Sequence, residues 1–179
     1  MRKTLLFSTL GFLVILAIFA ALLLPTKATD ETVAQPTEIA DRPDCPGETL
    51  AAVALDCLGG KKVASGKKYS VVTLWAWWCQ PCRAELPLFD ELAQHHPELN
   101  VVGVHADPSA SQAAALLTDL GLHLPSYQDN DNSFAGMLGL PAVVPITIIV
   151  DPEGKVVTFI PRVFDTYDQL ETTVLEAIV

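Results

Sequence analysis

The chain has 179 residues, half of them hydrophobic, enough to enclose one compact domain with its own core. It carries 11 Lys and Arg against 21 Asp and Glu, for a formal net charge of −10. Such an acidic surface keeps a domain soluble and speaks against nucleic acid or anionic lipid headgroups as partners.

Met1-Arg2-Lys3-Thr4 is followed by the uncharged apolar run Leu5–Leu24. At about 1.5 Å per residue that run reaches about 30 Å, the thickness of a bilayer's hydrocarbon core. Positive charge on its short N-terminal side predicts a single-pass anchor with the N-terminus in the cytoplasm and the remainder exported. A cleaved signal peptide, leaving a secreted domain, is the alternative, although Thr26-Lys27-Ala28 makes a poor cleavage site. From Pro25 to Asp44 the composition turns to Thr, Ala, Asp, Glu and Pro without apolar periodicity, which reads as a flexible linker. The expected division is thus an anchor over 1–24, a linker over 25–44 and one folded domain over 45–179.

Within the domain, Ala51–Cys57 is a first predicted strand, and Tyr69–Ala76, with Val71, Val72, Leu74 and Trp75, is a buried one. From Pro81 a helix is expected, with Leu86, Phe89, Leu92 and Ala93 at helical spacing and Pro87 interrupting one backbone bond. Asn100–Ala106 reads as a second buried strand and Ser109–Leu120 as a second helix. The polar run Asp129-Asn130-Asp131-Asn132 is a loop before a short helix over Ser133–Leu138. Ile146–Val150 is a β-branched strand, and Asp151-Pro152-Glu153-Gly154 turns the chain into an antiparallel Lys155–Ile160. Asp165 is the expected cap of a last helix with Tyr167, Leu170, Val174 and Ile178 on one face. Strands alternating with helices and ending in a hairpin predict a mixed sheet with helices on both faces.

Trp78-Cys79-Gln80-Pro81-Cys82 falls where a buried strand gives way to a helix. Cysteines at i and i+3 on a first helical turn lie within bonding distance, and the free N–H groups of a helix N-terminus favour a thiolate at the earlier one. Cys79 is therefore the expected nucleophile and Cys82 the resolving thiol. Half of a zinc site is the rival, but no second CxxC or CxxH pair is present to complete four ligands. A structural bridge over so small a loop would restrict the unfolded chain little.

The run Val72-Thr73-Leu74-Trp75-Ala76-Trp77-Trp78-Cys79-Gln80-Pro81-Cys82-Arg83-Ala84-Glu85-Leu86-Pro87 resembles the active-site strand and helix of the thioredoxin superfamily, in its membrane-anchored TlpA/ResA-like extracytoplasmic branch. Gly139-Leu140-Pro141, Val144-Pro145-Ile146-Thr147 and Val150-Asp151-Pro152-Glu153-Gly154 resemble the cis-proline strand and hairpin of that branch. The resemblance covers residues 45–179 and implies a thioredoxin-like α/β sandwich. It implies that Pro145 is cis and lies against the CxxC, leaving the Val144 backbone to pair with an extended substrate; a proline merely opening a strand, or Pro141 as the cis residue, are the alternatives.

Thr73 stands where thioredoxins place a buried Asp, so proton handling falls to another group. Glu85 matches an acidic residue that this branch keeps near its active site; an exposed Glu favoured by the helix dipole is the other reading. Trp78 and Trp77 offer an apolar docking surface for polypeptides, with ordinary packing the alternative for Trp77.

With Cys79 and Cys82 assigned, Cys45 and Cys57 remain as a pair that reads as a structural bridge in an oxidising compartment, with a second redox centre as the alternative. His95, His96, His105 and His123 show no metal-ligand spacing and read as surface or helix-end residues. No metal and no cofactor are expected.

The implied function is thiol-disulfide exchange with cysteine-containing extracytoplasmic proteins, as a reductase of the cytochrome c maturation type kept reduced by a membrane redox partner. A disulfide-forming oxidase of the same fold is the alternative. A thiol peroxidase would need a Thr-x-x-Cys setting, and Thr73 lies six residues before Cys79. A metal chaperone or a non-enzymatic binding module is the remaining class.

Overall fold

The computed structural model describes residues 38–66 and 68–178; Leu5–Leu24 and the linker up to residue 37 lie outside them. Among the described residues no helix is long and apolar enough to cross a membrane. In chain order the elements are β1 (Cys45–Pro46), β2 (Asp56–Cys57), β3 (Lys62–Val63), β4 (Ser70–Trp75), α1 (Gln80–His95), β5 (Asn100–Ala106) and α2 (Ala110–Asp119). They continue with β6 (Ser126–Asp129), α3 (Ser133–Met137), β7 (Ile146–Val150), β8 (Val156–Ile160) and α4 (Tyr167–Ala177).

The β-branched runs of β4, β5 and β7 are buried along nearly their whole length, as central strands covered on both faces must be. The six-stranded sheet has the order β2-β6-β5-β4-β7-β8, with β4, β5 and β6 parallel and β2, β7 and β8 antiparallel to their neighbours. β1 and β3 pair separately, in parallel. This is a thioredoxin-like α/β arrangement around a mixed sheet.

Alternation along the strands sends side chains to two cores. Val71, Trp75, Val101 and Ile149 pack against Cys82, Leu86, Phe89 and Leu92 of α1, Leu117 of α2, and Leu170 and Val174 of α4. Val72, Leu74, Val102, Val104 and Ile148 face the other way, onto Cys45, Leu50, Val53, Leu55 and Phe134. That second face is covered by the N-terminal segment together with the short α3, so the helical cover is unequal on the two sides.

The expected strand over Ala51–Cys57 is mostly something else. Leu50 and Val53 exchange backbone bonds around Ala51 and Ala52, whose φ values of 48° and 64° turn the chain back, and only Asp56–Cys57 joins the sheet. β6 occupies the stretch leading into the expected polar loop. The last helix is capped by Thr166, which accepts the Gln169 N–H, rather than by Asp165. Residues 40–43, within the stretch read as linker, lie against Gly59 and Gly60, and the Arg42 N–H donates to the Gly59 carbonyl at 2.9 Å. His105 is fully buried in β5, a correction to its surface assignment. His96 ends α1 between Glu98 (2.8 Å) and Glu171 (2.9 Å), which ties α1 to α4 and raises the His96 pKa through both hydrogen bonds.

Candidate active site

β4 delivers Trp75 to the end of the sheet, and the turn Ala76–Cys79 closes with the Cys79 N–H donating to the Ala76 carbonyl at 3.0 Å. α1 starts at Gln80, with Pro81 in its first turn, where a missing N–H costs nothing. Cys79 caps the helix: its Sγ accepts the Cys82 N–H at 3.2 Å, and it is bonded to Cys82 with S–S 2.01 Å and Cα–Cα 5.3 Å. The sulfur nearer the solvent thus sits where the helix concentrates unpaired N–H groups, a setting that stabilises negative charge. Cys79 is 4% exposed and Cys82 1%.

Helical spacing sends Glu85 to the same inner face as Cys82. It is 1% exposed, so the exposed alternative is corrected. One carboxylate oxygen accepts the Phe164 N–H at 2.9 Å and the other has no partner. Burial pushes its pKa up to about 7; the Phe164 N–H opposes that rise and the charge of Asp165 adds to it. Thr73, also buried, faces Thr147 across the β4–β7 pair.

The Val144–Pro145 peptide is cis and immediately precedes β7. Val144 is half-buried and touches both cores. It also lines a cavity of about 510 Å³ with Leu74, Trp78, Asp107, Leu140 and Val143. Trp78 is 57% exposed, and its ring forms one wall of that cavity. Trp77 is half-buried against the α1 core. The structure therefore brings Trp78 and Val144, the residues that immediately precede Cys79 and Pro145 in sequence, to one groove.

Cys45 and Cys57 are bonded, with S–S 2.03 Å and Cα–Cα 5.7 Å. Cys45 belongs to the core on the opposite face of the sheet from Cys79 and Cys82. The two disulfides thus serve different layers. No group of three or more His, Cys, Asp or Glu placed to hold a metal ion occurs among the described residues.

Sequence reasoning passed over Asp107, which accepts hydrogen bonds from both Trp77 Nε1 (3.2 Å) and Trp78 Nε1 (3.0 Å). Its only local signal is an Asp-Pro-Ser turn closing a buried strand, in which Asp107 also accepts the Ser109 N–H.

The AhpC/TSA family model matches residues 46–159. Thiol:disulfide interchange protein HelX of Rhodobacter capsulatus is 30% identical over 130 residues, 70% of this chain and 69% of that protein. Thiol-disulfide oxidoreductase ResA of Bacillus thuringiensis is 27% identical over 88 residues, and the match spans about half of its length (50%) and 48% of this chain. Among solved structures, a DsbF homologue from Corynebacterium diphtheriae aligns with TM-score 0.60 and 29% identity, covering 68% of this chain and 81% of that one. A secreted Mycobacterium tuberculosis disulfide oxidoreductase aligns with TM-score 0.59 and 20% identity over 68% of this chain and 93% of its own, a likeness of fold. The matched span runs from the edge of the N-terminal layer through the CxxC helix and the cis-proline strand to the closing hairpin, and the chain accordingly belongs to the AhpC/TSA family.

Proposed function

We propose that the chain is a protein thiol-disulfide oxidoreductase working through Cys79 and Cys82, in the direction of substrate reduction. The observation that carries this reading is Cys79 as the helix cap, its sulfur receiving the Cys82 N–H, one residue after the Trp78 that lines an apolar groove. In the reduced enzyme the Cys79 thiolate attacks one sulfur of a substrate disulfide. A mixed disulfide forms, and the other substrate sulfur leaves as a thiolate that takes up a proton. Cys82 then loses its proton and attacks Cys79 Sγ, releasing the second substrate thiolate and leaving the Cys79–Cys82 disulfide. Two electrons have passed to the substrate, and a dithiol donor must return them.

Glu85, with a pKa near neutrality on the inner face of α1, is assigned the proton that Cys82 gives up. Trp77, Trp78 and Val144–Pro145 are assigned to substrate binding, with the Val144 backbone pairing with an extended segment and the indoles meeting apolar side chains. Cys45–Cys57 is assigned a structural part. The substrates proposed are cysteine-containing extracytoplasmic proteins of the kind handled in cytochrome c maturation, with a membrane redox partner as donor. Residues 1–24 are proposed as the anchor, with the N-terminus in the cytoplasm, and 25–44 as linker to the domain over 45–179. Support comes from the apolar run itself, long enough to cross a bilayer and preceded by Arg2 and Lys3.

Two measurements test this reading. Cys82→Ser should accumulate mixed disulfides through Cys79, whereas Cys79→Ser should not; the reverse pattern overturns the assignment of roles. The reduction potential of Cys79–Cys82, equilibrated against glutathione or dithiothreitol, should lie at about −270 mV or somewhat above, as in thioredoxin. A value close to about −120 mV would make the protein a disulfide-forming oxidase instead.

A further inference from the structure

Two consecutive indoles end on one carboxylate. Asp107 Oδ1 accepts the Trp77 Nε1–H at 3.2 Å and the Ser109 N–H at 2.8 Å, while Oδ2 accepts the Trp78 Nε1–H at 3.0 Å. The parallel pairing of β4 with β5 sets Trp75 beside His105, so Asp107, just past β5, emerges at the same end of the sheet as the turn bearing Trp77 and Trp78. From behind, Gln128 Nε2 donates to the Asp107 carbonyl at 2.7 Å, and its Oε1 faces His105 Nδ1 at 3.0 Å. Gln128 therefore accepts from a neutral imidazole whose protonation is disfavoured by burial. Partial burial pushes the Asp107 carboxyl up, but the bonds from Ser109, Trp78 and Trp77 outweigh it and hold the group ionised.

We infer that Asp107 is a positioning residue for polypeptide substrates: by clamping both indoles it fixes Trp77 and the groove wall made by Trp78. The inference rests on the thiol-disulfide reading of the site. Trp78 is more than half exposed, and a side chain so placed keeps one rotamer only where something holds its far end. A carboxylate can serve both indoles because each oxygen is an acceptor. An amide cannot, since its NH2 would meet one indole N–H donor to donor. Asp107→Asn therefore preserves volume and breaks at least one arm of the clamp, and Asp107→Ala breaks both. The disulfide itself, capped by its own helix, does not depend on these bonds.

The test compares wild type, D107A and D107N in exchange with dithiothreitol and with a synthetic peptide whose cysteine is flanked by apolar residues. For D107A, the ratio of the peptide rate to the dithiothreitol rate should fall about tenfold, mainly through KM, as expected when hydrogen bonds to a charged acceptor are lost. D107N should fall between wild type and D107A. In a W77F/W78F background, which itself shows the loss, adding D107A should change the ratio less than about twofold, since the two lesions share one mechanism. Equal losses in both reactions, an unchanged peptide KM in D107A, or a full additional loss in W77F/W78F would each overturn the inference while leaving the oxidoreductase reading in place. Wild-type protein inert toward both reagents would overturn that reading and the inference together.

Discussion

Glu85 lies one turn beyond Cys82 on the inner side of α1, with one oxygen bonded to the Phe164 N–H and the other without a partner. Its carboxyl binds a proton more tightly in the folded chain, with a pKa of about 7, than in the unfolded one, near 4.5. The sign follows from linkage. The stability associated with this group is complete below the unfolded value, declines as pH rises between the two values, and is lost above the folded one. Glu85→Gln keeps an oxygen for the Phe164 N–H and removes the titration. Between pH 4.5 and 7.5 the wild-type melting temperature should therefore fall relative to E85Q by about 5 °C or more. Parallel melting profiles would mean that Glu85 ionises in the fold at no cost.

At the scale of elements, Gly103 of β5 lies under a side-chain link between β4 and β6. A Cβ there would come within 2.7 Å of Trp75 Nε1 and nearer still to Ser126 Oγ, because the Trp75–Ser126 hydrogen bond (2.9 Å) passes over that glycine. Gly103→Ala should cost about 2 kcal/mol in denaturant unfolding, through the displaced indole and its lost bond. A loss below about 0.5 kcal/mol would show that the indole yields freely. The same neighbourhood explains why β6 was not legible. Its sequence, Ser-Tyr-Gln-Asp, has no β-branched run, and its polar groups are satisfied only after folding: Ser126 by Trp75, Gln128 by His105 and Asp107, and Asp129 by Ser133 and Phe134. β4, β5 and β7 were legible because burial on both faces leaves a plain apolar signal in the sequence. Ala51–Cys57 carried a similar signal but serves a covering segment whose turn needs left-handed backbone at Ala51 and Ala52, residues with no preference for it.

For the whole molecule, the N-terminal segment acts as a layer that must be held down without helices of length. The Cys45–Cys57 bond closes a loop of sequence separation 12, which in the chain-entropy view contributes about 3 kcal/mol. Replacing both cysteines by Ser should lower the melting temperature by about 5 °C or more, while exchange at a permissive temperature stays near the wild-type rate. Loss of exchange in a fully folded double variant would make this pair a relay. The division of the two disulfides between opposite faces was not legible in the sequence, because it depends on which way each strand turns its side chains. The CxxC and the proline strand were legible because each is written in a few contiguous residues, whereas Asp107 reaches the site only through the pairing of β4 with β5.

The three tryptophans of the chain, Trp75, Trp77 and Trp78, all stand within the five residues that end at Cys79. One is wholly buried against the sheet, one half-buried, and one open to solvent. Intrinsic ultraviolet emission from this protein therefore originates almost entirely beside the Cys79–Cys82 sulfurs. Disulfides quench excited indoles on contact and thiols do so less, so the unlabelled chain should brighten as it is reduced. Its redox state can then be followed optically and in real time, without a reporter dye.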